Sequence, residues 1–352
     1  MNMKKIDKNL VPDTITTIPN GKTYSVREAP FRLYGLYKPE NKGVFKRMPA
    51  ETAAKVGEGY SLMNCMTSGV RARFKTDASV MQLRVVTPTV TPVTTSGTIT
   101  AMKGFDVYIK DNAGKERYYK SFRPPVSFTD EYEAELSMPC GMKDITLYFP
   151  MYNQIEDVFI SIPEDAVLLA GSSYPQNAPI LFYGSSITQG CCVSRTGNTY
   201  PSILSRMLDT DIINLGVSGG AKGQLPVAEY IAGLTLRAFV YDYDHNAPDV
   251  DFLQATHELF FNTVRKAQPK LPILLLSKPD FQKGEDEARR EVIRATYNHA
   301  MAAGDKNVYF IDGESIFKGE YEDICTADGC HPNDHGYLCM AIKIASVLQK
   351  IL

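Results

Sequence analysis

Two short segments of the sequence carry residue types that suit nucleophilic chemistry. The first, residues 184–190 (GSSITQG), sets serine hydroxyls in a turn of small residues that lets a substrate approach the backbone. The second, residues 328–337 (DGCHPNDHGY), sets Asp328 three positions before His331. A serine hydroxyl needs an imidazole to accept its proton and a carboxylate to orient that imidazole. This spacing allows one loop to supply both the base and its orienting group.

The second half of the chain has the pattern of a parallel α/β domain. Short apolar runs typical of buried parallel strands occupy residues 180–183, 211–215, 236–241, 273–276 and 308–311. Helices are predicted over residues 200–208, 252–267, 285–303 and 336–352. This alternation predicts a doubly wound sheet with its site at the carboxyl ends of the strands, where the serine turn falls.

The first half of the chain is predicted to be all β. Short runs with period-two alternation, residues 70–74, 80–85 and 105–109 among them, are separated by Gly, Pro and Asp/Asn clusters. Residues 111–114 (DNAG) predict a hairpin turn in which Gly114 adopts a positive φ. We therefore predict a β-sandwich, jelly-roll-like in type, over residues 1–172 and an α/β domain over residues 173–352.

The motifs GSSITxG and DxxHPNxxGY together resemble the SGNH (GDSL-type) esterases, whose four sequence blocks supply Ser, Gly, Asn and His. The resemblance covers residues 180–352 and implies a flavodoxin-like hydrolase domain. An N-terminal sandwich before such a domain is also similar to bacterial carbohydrate acetylesterases. Carried over by position, the resemblance implies that Ser186 is the nucleophile, His331 the general base and Asp328 its carboxylate partner.

The resemblance also implies an oxyanion hole. Residues 214–219 (NLGVSG) match the second block and make the Gly219 backbone N–H a donor, while residues 242–247 (DYDHNA) match the third and make the Asn246 side chain another. The Ser186 N–H is the third implied donor. Fixed donors aimed at a developing oxyanion lower the barrier to acyl transfer.

Two departures from the family pattern and several plainer interpretations accompany this assignment. Ser185 stands where the family usually has Asp, and residues 244–247 (DHNA) replace the usual Gly-x-Asn-Asp. Asn246 could be a turn residue before Pro248, and Gly219 could be an ordinary glycine of a strand-helix turn. The turn that carries Ser186 could be a Gly/Ser-rich loop without a catalytic role, and His331 could be a residue at a helix start whose ring makes only local hydrogen bonds.

Two other kinds of site remain possible from the sequence. Residues 216–220 (GVSGG) satisfy G-x-S-x-G, which makes Ser218 a rival nucleophile. Cys325, Cys330, His331 and His335 offer two thiols and two imidazoles for zinc, although Pro332 interrupts any helix that could align the two histidines. We expect neither and predict no metal and no cofactor. His245, His257, His299 and His335 are assigned no role.

Composition excludes several classes of protein. With 38 Lys+Arg against 40 Asp+Glu and no basic run among aromatics, the chain is not expected to bind nucleic acid. No apolar stretch predicts a signal peptide or a membrane span, so we expect no membrane partner. Seven scattered cysteines suit reduced thiols, which favours the cytoplasm. The sequence leaves a homo-oligomer open.

These observations predict a metal-independent serine esterase. By analogy with its two-domain relatives, we expect short acyl groups, acetyl in particular, on a small-molecule or oligosaccharide ester. Two alternatives remain: an acyltransferase that uses the same triad with an alcohol acceptor, and a catalytically silent carbohydrate-binding protein.

Overall fold

The structure is a computed structural model that describes residues 18, 20–89, 91, 97–280, 284–319 and 321–352. The described residues fall into two compact units. The first draws on residues 1–47, 65–173 and 194–197, and the second on residues 48–64, 174–193 and 198–352. The single boundary predicted after residue 172 stays a prediction, and the contacts place residues 48–64 with the second unit and 194–197 with the first.

The first unit is built mainly of strands, whereas strands and helices alternate along the second unit. The strands are Lys22–Ser25 (β1), Arg32–Tyr34 (β2), Arg71–Thr76 (β3), Val80–Val86 (β4), Phe105–Lys110 (β5), Glu116–Phe122 (β6), Glu131–Ser137 (β7), Lys143–Tyr148 (β8), Asp157–Ile162 (β9), Leu168–Ala170 (β10), Ile180–Gly184 (β11), Ile212–Gly216 (β12), Ala238–Asp242 (β13), Ile273–Leu276 (β14) and Val308–Ile311 (β15). The helices are Ala50–Val56 (α1), Glu58–Asn64 (α2), Ile99–Lys103 (α3), Ser186–Gln189 (α4), Tyr200–Leu208 (α5), Leu225–Ala232 (α6), Val250–Ala267 (α7), Glu285–Ala302 (α8), Glu314–Phe317 (α9) and Asp334–Ile351 (α10).

The first unit consists of two antiparallel sheets that share one apolar core. One sheet has the order β1-β9-β4-β7, and the other has β10-β3-β8-β5-β6 with β2 paired to β3. Alternate residues of β4 are buried, Met81, Leu83 and Val85 among them, as its period-two pattern predicts. The hairpin between β5 and β6 is confirmed, with Gly114 at φ 76°.

The second unit contains a five-stranded parallel sheet in the order β12-β11-β13-β14-β15. In chain order this is the 2-1-3-4-5 arrangement of flavodoxin-like folds, so the predicted fold class is confirmed. Every residue of β11, β13 and β14 is buried, which explains their continuous apolar runs. The register sets Gly184 opposite both Gly216 and Asp242, so three strands end at one edge of the sheet.

Several helix boundaries differ from the sequence predictions for identifiable reasons. Helix α10 begins at Asp334 because the side chain of Asn333 accepts the N–H groups of His335 and Gly336, a cap that precedes the predicted start. Asp249 caps α7 in the same manner, accepting from Phe252. Helices α1, α2 and α6 were not predicted, because each is too short to show a helical period in the sequence.

Close backbone approach explains the glycines at the carboxyl edge of the sheet. A Cβ on Gly216 would lie 2.2 Å from the Gln189 nitrogen and 2.6 Å from the Thr188 carbonyl carbon. A Cβ on Gly184 would lie 2.1 Å from the hydroxyl oxygen of Thr188 on α4 and 2.4 Å from the Asp242 carbonyl oxygen. Helix α4 can therefore rest on the ends of β11 and β12 only because neither strand ends in a side chain. Among the described residues, no helix has the length and apolar character needed to cross a bilayer.

Candidate active site

Ser186 is the first residue of α4 and directly follows the turn after β11. Its neighbour Ser185 is the helix N-cap, and the Ser185 hydroxyl accepts the N–H of Ile187 at 3.2 Å. Helix α4 ends at Gly190, which adopts the left-handed conformation at φ 113°. The turn therefore presents a half-buried Ser186 side chain at the carboxyl edge of the sheet.

The structure brings Ser186, His331 and Asp328 together in one chain of hydrogen bonds. The Oγ of Ser186 lies 2.9 Å from Nε2 of His331, and Nδ1 of the same ring lies 2.9 Å from Oδ2 of Asp328. A carboxylate only accepts hydrogen bonds, so Nδ1 carries the proton and Nε2 is left as the acceptor that faces the serine hydroxyl. This is the arrangement in which an imidazole can take a proton from serine.

The carboxylate of Asp328 is held ionised by its own loop. Its Oδ1 accepts the backbone N–H groups of His331 at 2.8 Å and Cys330 at 3.1 Å. Partial burial opposes the charge, but the hydrogen bonds from the His331 backbone and ring lower the pKa of Asp328 below its usual value. The group that orients the imidazole is therefore negatively charged at neutral pH.

Helix α10 and its cap hold this loop in place. The side-chain amide of Asn333 donates to the Ile324 carbonyl at 2.6 Å and to the Thr326 carbonyl at 3.3 Å. The backbone N–H of Ala327 donates to the His331 carbonyl at 2.9 Å. The same asparagine thus caps the helix and closes the loop that carries the base.

Tyr337 connects α10 to the serine turn, a role that the sequence did not reveal. Its buried hydroxyl lies 3.0 Å from the Ile187 carbonyl oxygen and 2.8 Å from that of Cys191. The tyrosine was visible in the motif DxxHPNxxGY, where its place one turn into an amphipathic helix predicts only burial. The hydrogen bonds fix the serine-bearing segment against the helix whose N-terminus follows His331.

Gly219 lies in the turn that follows β12 and has a positive φ of 67°, and a Cβ at this position would meet open space. The neighbouring Ser218 donates its backbone N–H and its hydroxyl to the side-chain oxygen Oε1 of Gln189, at 2.8 and 3.0 Å. An amide oxygen accepts a hydrogen bond but, unlike an imidazole, does not take up a proton at neutral pH. This contact therefore does not activate Ser218, the rival nucleophile of the sequence analysis.

Asn246 joins the loop after β13 to the loop after β12. Its Oδ1 accepts the backbone N–H of Ala221 at 3.3 Å, which orients the amide group. The guanidinium of Arg289 secures the same loop, because Nη1 donates to the carbonyl oxygens of Asp244 at 2.8 Å and Ala247 at 3.0 Å. No sequence pattern indicated this role for Arg289, which lies on α8 far along the chain.

Asp244 and His245, two of the residues that depart from the family pattern, form a buried ion pair. The carboxylate of Asp244 accepts Nδ1 of His245 at 2.7 Å and the backbone N–H of Lys278 at 2.8 Å. Although burial opposes both charges, each partner favours the charged form of the other, so the pKa of Asp244 is lowered and the pKa of His245 is raised. Asp244 and His245 thus have a structural role beside Asn246.

Asp242 lies at the end of β13, beneath the serine turn. Its Oδ2 accepts the hydroxyls of Thr188 at 2.9 Å and Tyr200 at 3.2 Å. Burial, with a smaller contribution from the charge of Asp244, raises the pKa of Asp242 from 3.8 to about 6, against the opposing effect of His245. The folded chain therefore holds this proton more tightly than the unfolded chain does.

The stability of the protein is expected to depend on pH through this carboxyl group. Because its pKa is raised on folding, its stabilising contribution is complete below about pH 4 and is lost as the pH rises through about 6. The substitution Asp242→Asn removes the ionisation, so the unfolding free energy of the variant relative to the wild type should rise by about 2.4 kcal/mol between pH 4 and pH 8.

Urea unfolding measured from pH 4 to pH 8 checks this expectation. Asp251→Asn, at an exposed carboxylate in the first turn of α7, is the matched control and should follow the wild type. If the difference in unfolding free energy between Asp242→Asn and the wild type stayed constant from pH 4 to pH 8, the raised pKa of Asp242 would be contradicted.

Comparisons with known proteins agree with the fold. The parallel sheet and the serine turn at its carboxyl edge define an SGNH-type hydrolase domain preceded by an antiparallel β domain. Residues 177–351 match the GDSL-like lipase/acylhydrolase family, and residues 22–168 match the N-terminus of the SGNH-hydrolase type of esterase. The chain belongs to the GDSL-like lipase/acylhydrolase family and is an ester-hydrolysing enzyme, which confirms the resemblance seen in the sequence. No curated protein matches this chain.

Three solved structures illustrate the similarity. A GDSL-like lipase from Bacteroides ovatus is 27% identical, with a TM-score of 0.84, and the match covers 94% of this chain and 98% of that one. A salicylyl-acyltransferase from a tetracycline biosynthetic pathway is 19% identical, with a TM-score of 0.75 and coverage of 94% and 97%. An acetyl xylan esterase from Butyrivibrio proteoclasticus is 13% identical, with a TM-score of 0.56 and coverage of 94% and 98%. The last two likenesses show a shared fold.

Proposed function

We propose that this enzyme is a serine esterase that removes short acyl groups, acetyl in particular, from a carbohydrate through an acyl-enzyme on Ser186. The observation that supports the proposal most strongly is the hydrogen-bonded chain from the Ser186 hydroxyl through His331 to Asp328, with both contacts at 2.9 Å. A serine beside a correctly oriented imidazole is the arrangement that nucleophilic acyl transfer requires.

The reaction follows from this arrangement in two halves. The Ser186 Oγ attacks the ester carbonyl carbon while Nε2 of His331 takes the hydroxyl proton, and Asp328 stabilises the imidazolium that forms. The tetrahedral intermediate then collapses, and the imidazolium returns the proton to the departing alcohol oxygen. Water, deprotonated by the same imidazole, attacks the acyl-enzyme and releases the carboxylic acid and the free serine.

Three donors are proposed for the oxyanion of the intermediate: the N–H groups of Ser186 and Gly219 and the side-chain amide of Asn246. They follow β11, β12 and β13, which are neighbours in the sheet and end in register. Ser186 is the first residue of α4, where a backbone N–H has no partner within the helix. Because Ala221 holds Oδ1 of Asn246, the NH₂ group is the part left to act as donor.

Replacement of Asn246 by alanine is expected to lower kcat by about 10²–10³-fold with little change in KM, because an oxyanion donor acts chiefly in the transition state. Steady-state kinetics on an activated acetyl ester measures both constants. Asn262→Ala, an exposed position on α7, is the matched control and should leave kcat unchanged. An unchanged kcat in Asn246→Ala would remove this residue from the oxyanion hole.

The proposed substrate class rests on similarity in fold. Structures of the same fold include an acetyl xylan esterase, which supports an acetylated carbohydrate. The experiment compares the enzyme on acetylated oligosaccharides and on simple esters with acyl chains from two to twelve carbons, with released acid measured by mass spectrometry. Preference for acetyl on a sugar supports the proposal, while preference for long chains on simple alcohols contradicts it.

Acyl transfer to an alcohol is the second candidate function, favoured by the similarity in fold to a salicylyl-acyltransferase. The chemistry differs only in whether water or an alcohol attacks the acyl-enzyme. Product analysis with and without an added alcohol or sugar acceptor separates the two. A transferase should give acylated acceptor as its main product, whereas a hydrolase should release free acid at the same rate in both conditions.

A further inference from the structure

A second cluster of reactive side chains lies beside the loop that carries Asp328 and His331. The ligand atoms of Cys325, His335 and Cys339 all lie within 4.8 Å of one another, and Nε2 of His335 is 3.8 Å from Sγ of Cys339. In a tetrahedral zinc site, with bonds of about 2.3 Å to sulfur and 2.0 Å to nitrogen, neighbouring ligand atoms lie about 3.6 Å apart. The three side chains are therefore spaced almost as zinc ligands are.

Rigid elements hold these three residues in position. His335 and Cys339 are four residues apart on α10, so their side chains share one face of the helix. Cys325 is fixed against the start of that helix, because its carbonyl oxygen accepts the backbone N–H of Asn333 at 3.0 Å. A Cβ on Gly336 would lie 2.2 Å from the same carbonyl oxygen, so this glycine allows the close approach. Little reorganisation is needed to bind an ion.

The charges around the cluster favour a divalent cation. The carboxylates of Asp323 and Asp280 place negative charge near the Cys325 thiol, which favours a positive ion there. Two thiolates also neutralise the two charges of the ion, so the filled site would carry no net charge of its own.

We propose that Cys325, His335 and Cys339 form a structural binding site for a thiophilic divalent cation such as Zn²⁺, with one position left for water. Each thiol releases its proton to solvent as its sulfur bonds to the metal. The ion would link both ends of the segment 325–335, which carries Asp328 and His331, and so stabilise the loop without taking part in ester cleavage. This ligand set differs from the one considered in the sequence, because it replaces Cys330 and His331 by Cys339.

The inference has a spectroscopic test that does not depend on activity. The reduced, chelator-treated protein is titrated with Co²⁺, whose thiolate charge-transfer and tetrahedral ligand-field bands report the ligands. We expect thiolate bands that saturate at one ion per chain and disappear when Zn²⁺ is added. Cys339→Ser should weaken Co²⁺ binding at least about tenfold, since loss of a group that only hydrogen-bonds to a metal ligand already costs about 10–100-fold in affinity. Cys140→Ser, an exposed thiol of the first unit, is the matched control and should bind normally.

Three results would overturn the inference. They are the absence of thiolate bands in the wild type, bands that persist unchanged in both Cys339→Ser and His335→Gln, and bands that vanish only in Cys191→Ser. The last result would assign the ion to Cys191, Cys192 and His331, whose ligand atoms also lie within 4.8 Å of one another. Cys339 and His335 are chosen because neither is fully buried, so their replacement should leave the chain folded.

Discussion

Ser186→Ala is expected to lower kcat on an activated acetyl ester by about 10⁴–10⁶-fold, because no other group can form the acyl-enzyme once the hydroxyl is gone. The small residual rate would come from the oxyanion donors and from substrate binding. Because the hydroxyl is half-buried and makes its hydrogen bond to His331, its loss should leave the unfolding transition nearly unchanged. Stopped assays with a high enzyme concentration measure the residual rate.

Ser218→Ala is the matched control for this prediction. Ser218 occupies the G-x-S-x-G motif, but its hydroxyl donates to Gln189, so its loss should change kcat less than about tenfold. If Ser218→Ala were inactive while Ser186→Ala kept full turnover, Ser218 of the G-x-S-x-G motif would replace Ser186 as the nucleophile. Equal turnover in both variants and the wild type would remove serine nucleophilic catalysis from both positions.

The second large effect is expected from Asp328→Asn, which should lower kcat by about 10³–10⁴-fold. An asparagine can turn its NH₂ group towards Nδ1 of His331, which favours the tautomer with the proton on Nε2. That tautomer cannot accept the proton of Ser186. KM should change little, because Asp328 contacts the imidazole instead of the substrate.

Asp323→Asn is the matched control for this second prediction. It removes an exposed carboxylate from the segment just before the catalytic loop and should leave kcat unchanged. Thermal unfolding of both variants should be measured in parallel, because Asp328 also accepts two backbone N–H groups of its own loop. A loss of activity that only tracks a loss of folded protein would contradict the catalytic role.

The features that could be predicted from sequence are those that depend on local pattern. The buried strands β11, β13 and β14 consist mostly of apolar residues because helices cover both faces of a parallel sheet. The serine turn was predictable because small residues follow the first of these strands. The pairing of Asp328 with His331 was predictable because they lie three positions apart on a single loop.

The features that could not be predicted depend on contacts between distant segments. Tyr337 and Arg289 resemble ordinary helix residues in the sequence. Only the folded chain shows that Tyr337 holds the serine turn and that Arg289 holds the loop after β13. His335 likewise shares a helix with Cys339 only because α10 begins two residues earlier than its pattern predicts. Caps and long-range hydrogen bonds leave weak signals in a single sequence.

Covalent labelling with a fluorophosphonate tests the central claim most directly, because phosphonylation marks the nucleophile whatever the natural substrate is. We predict one adduct per chain in the intact protein, located by peptide mass spectrometry on Ser186 and absent from Ser186→Ala. The adduct should form far more slowly in His331→Gln, which retains the hydroxyl but lacks the base. An adduct on Ser218 or on another residue, or an enzyme that turns over esters yet resists labelling, would contradict the account.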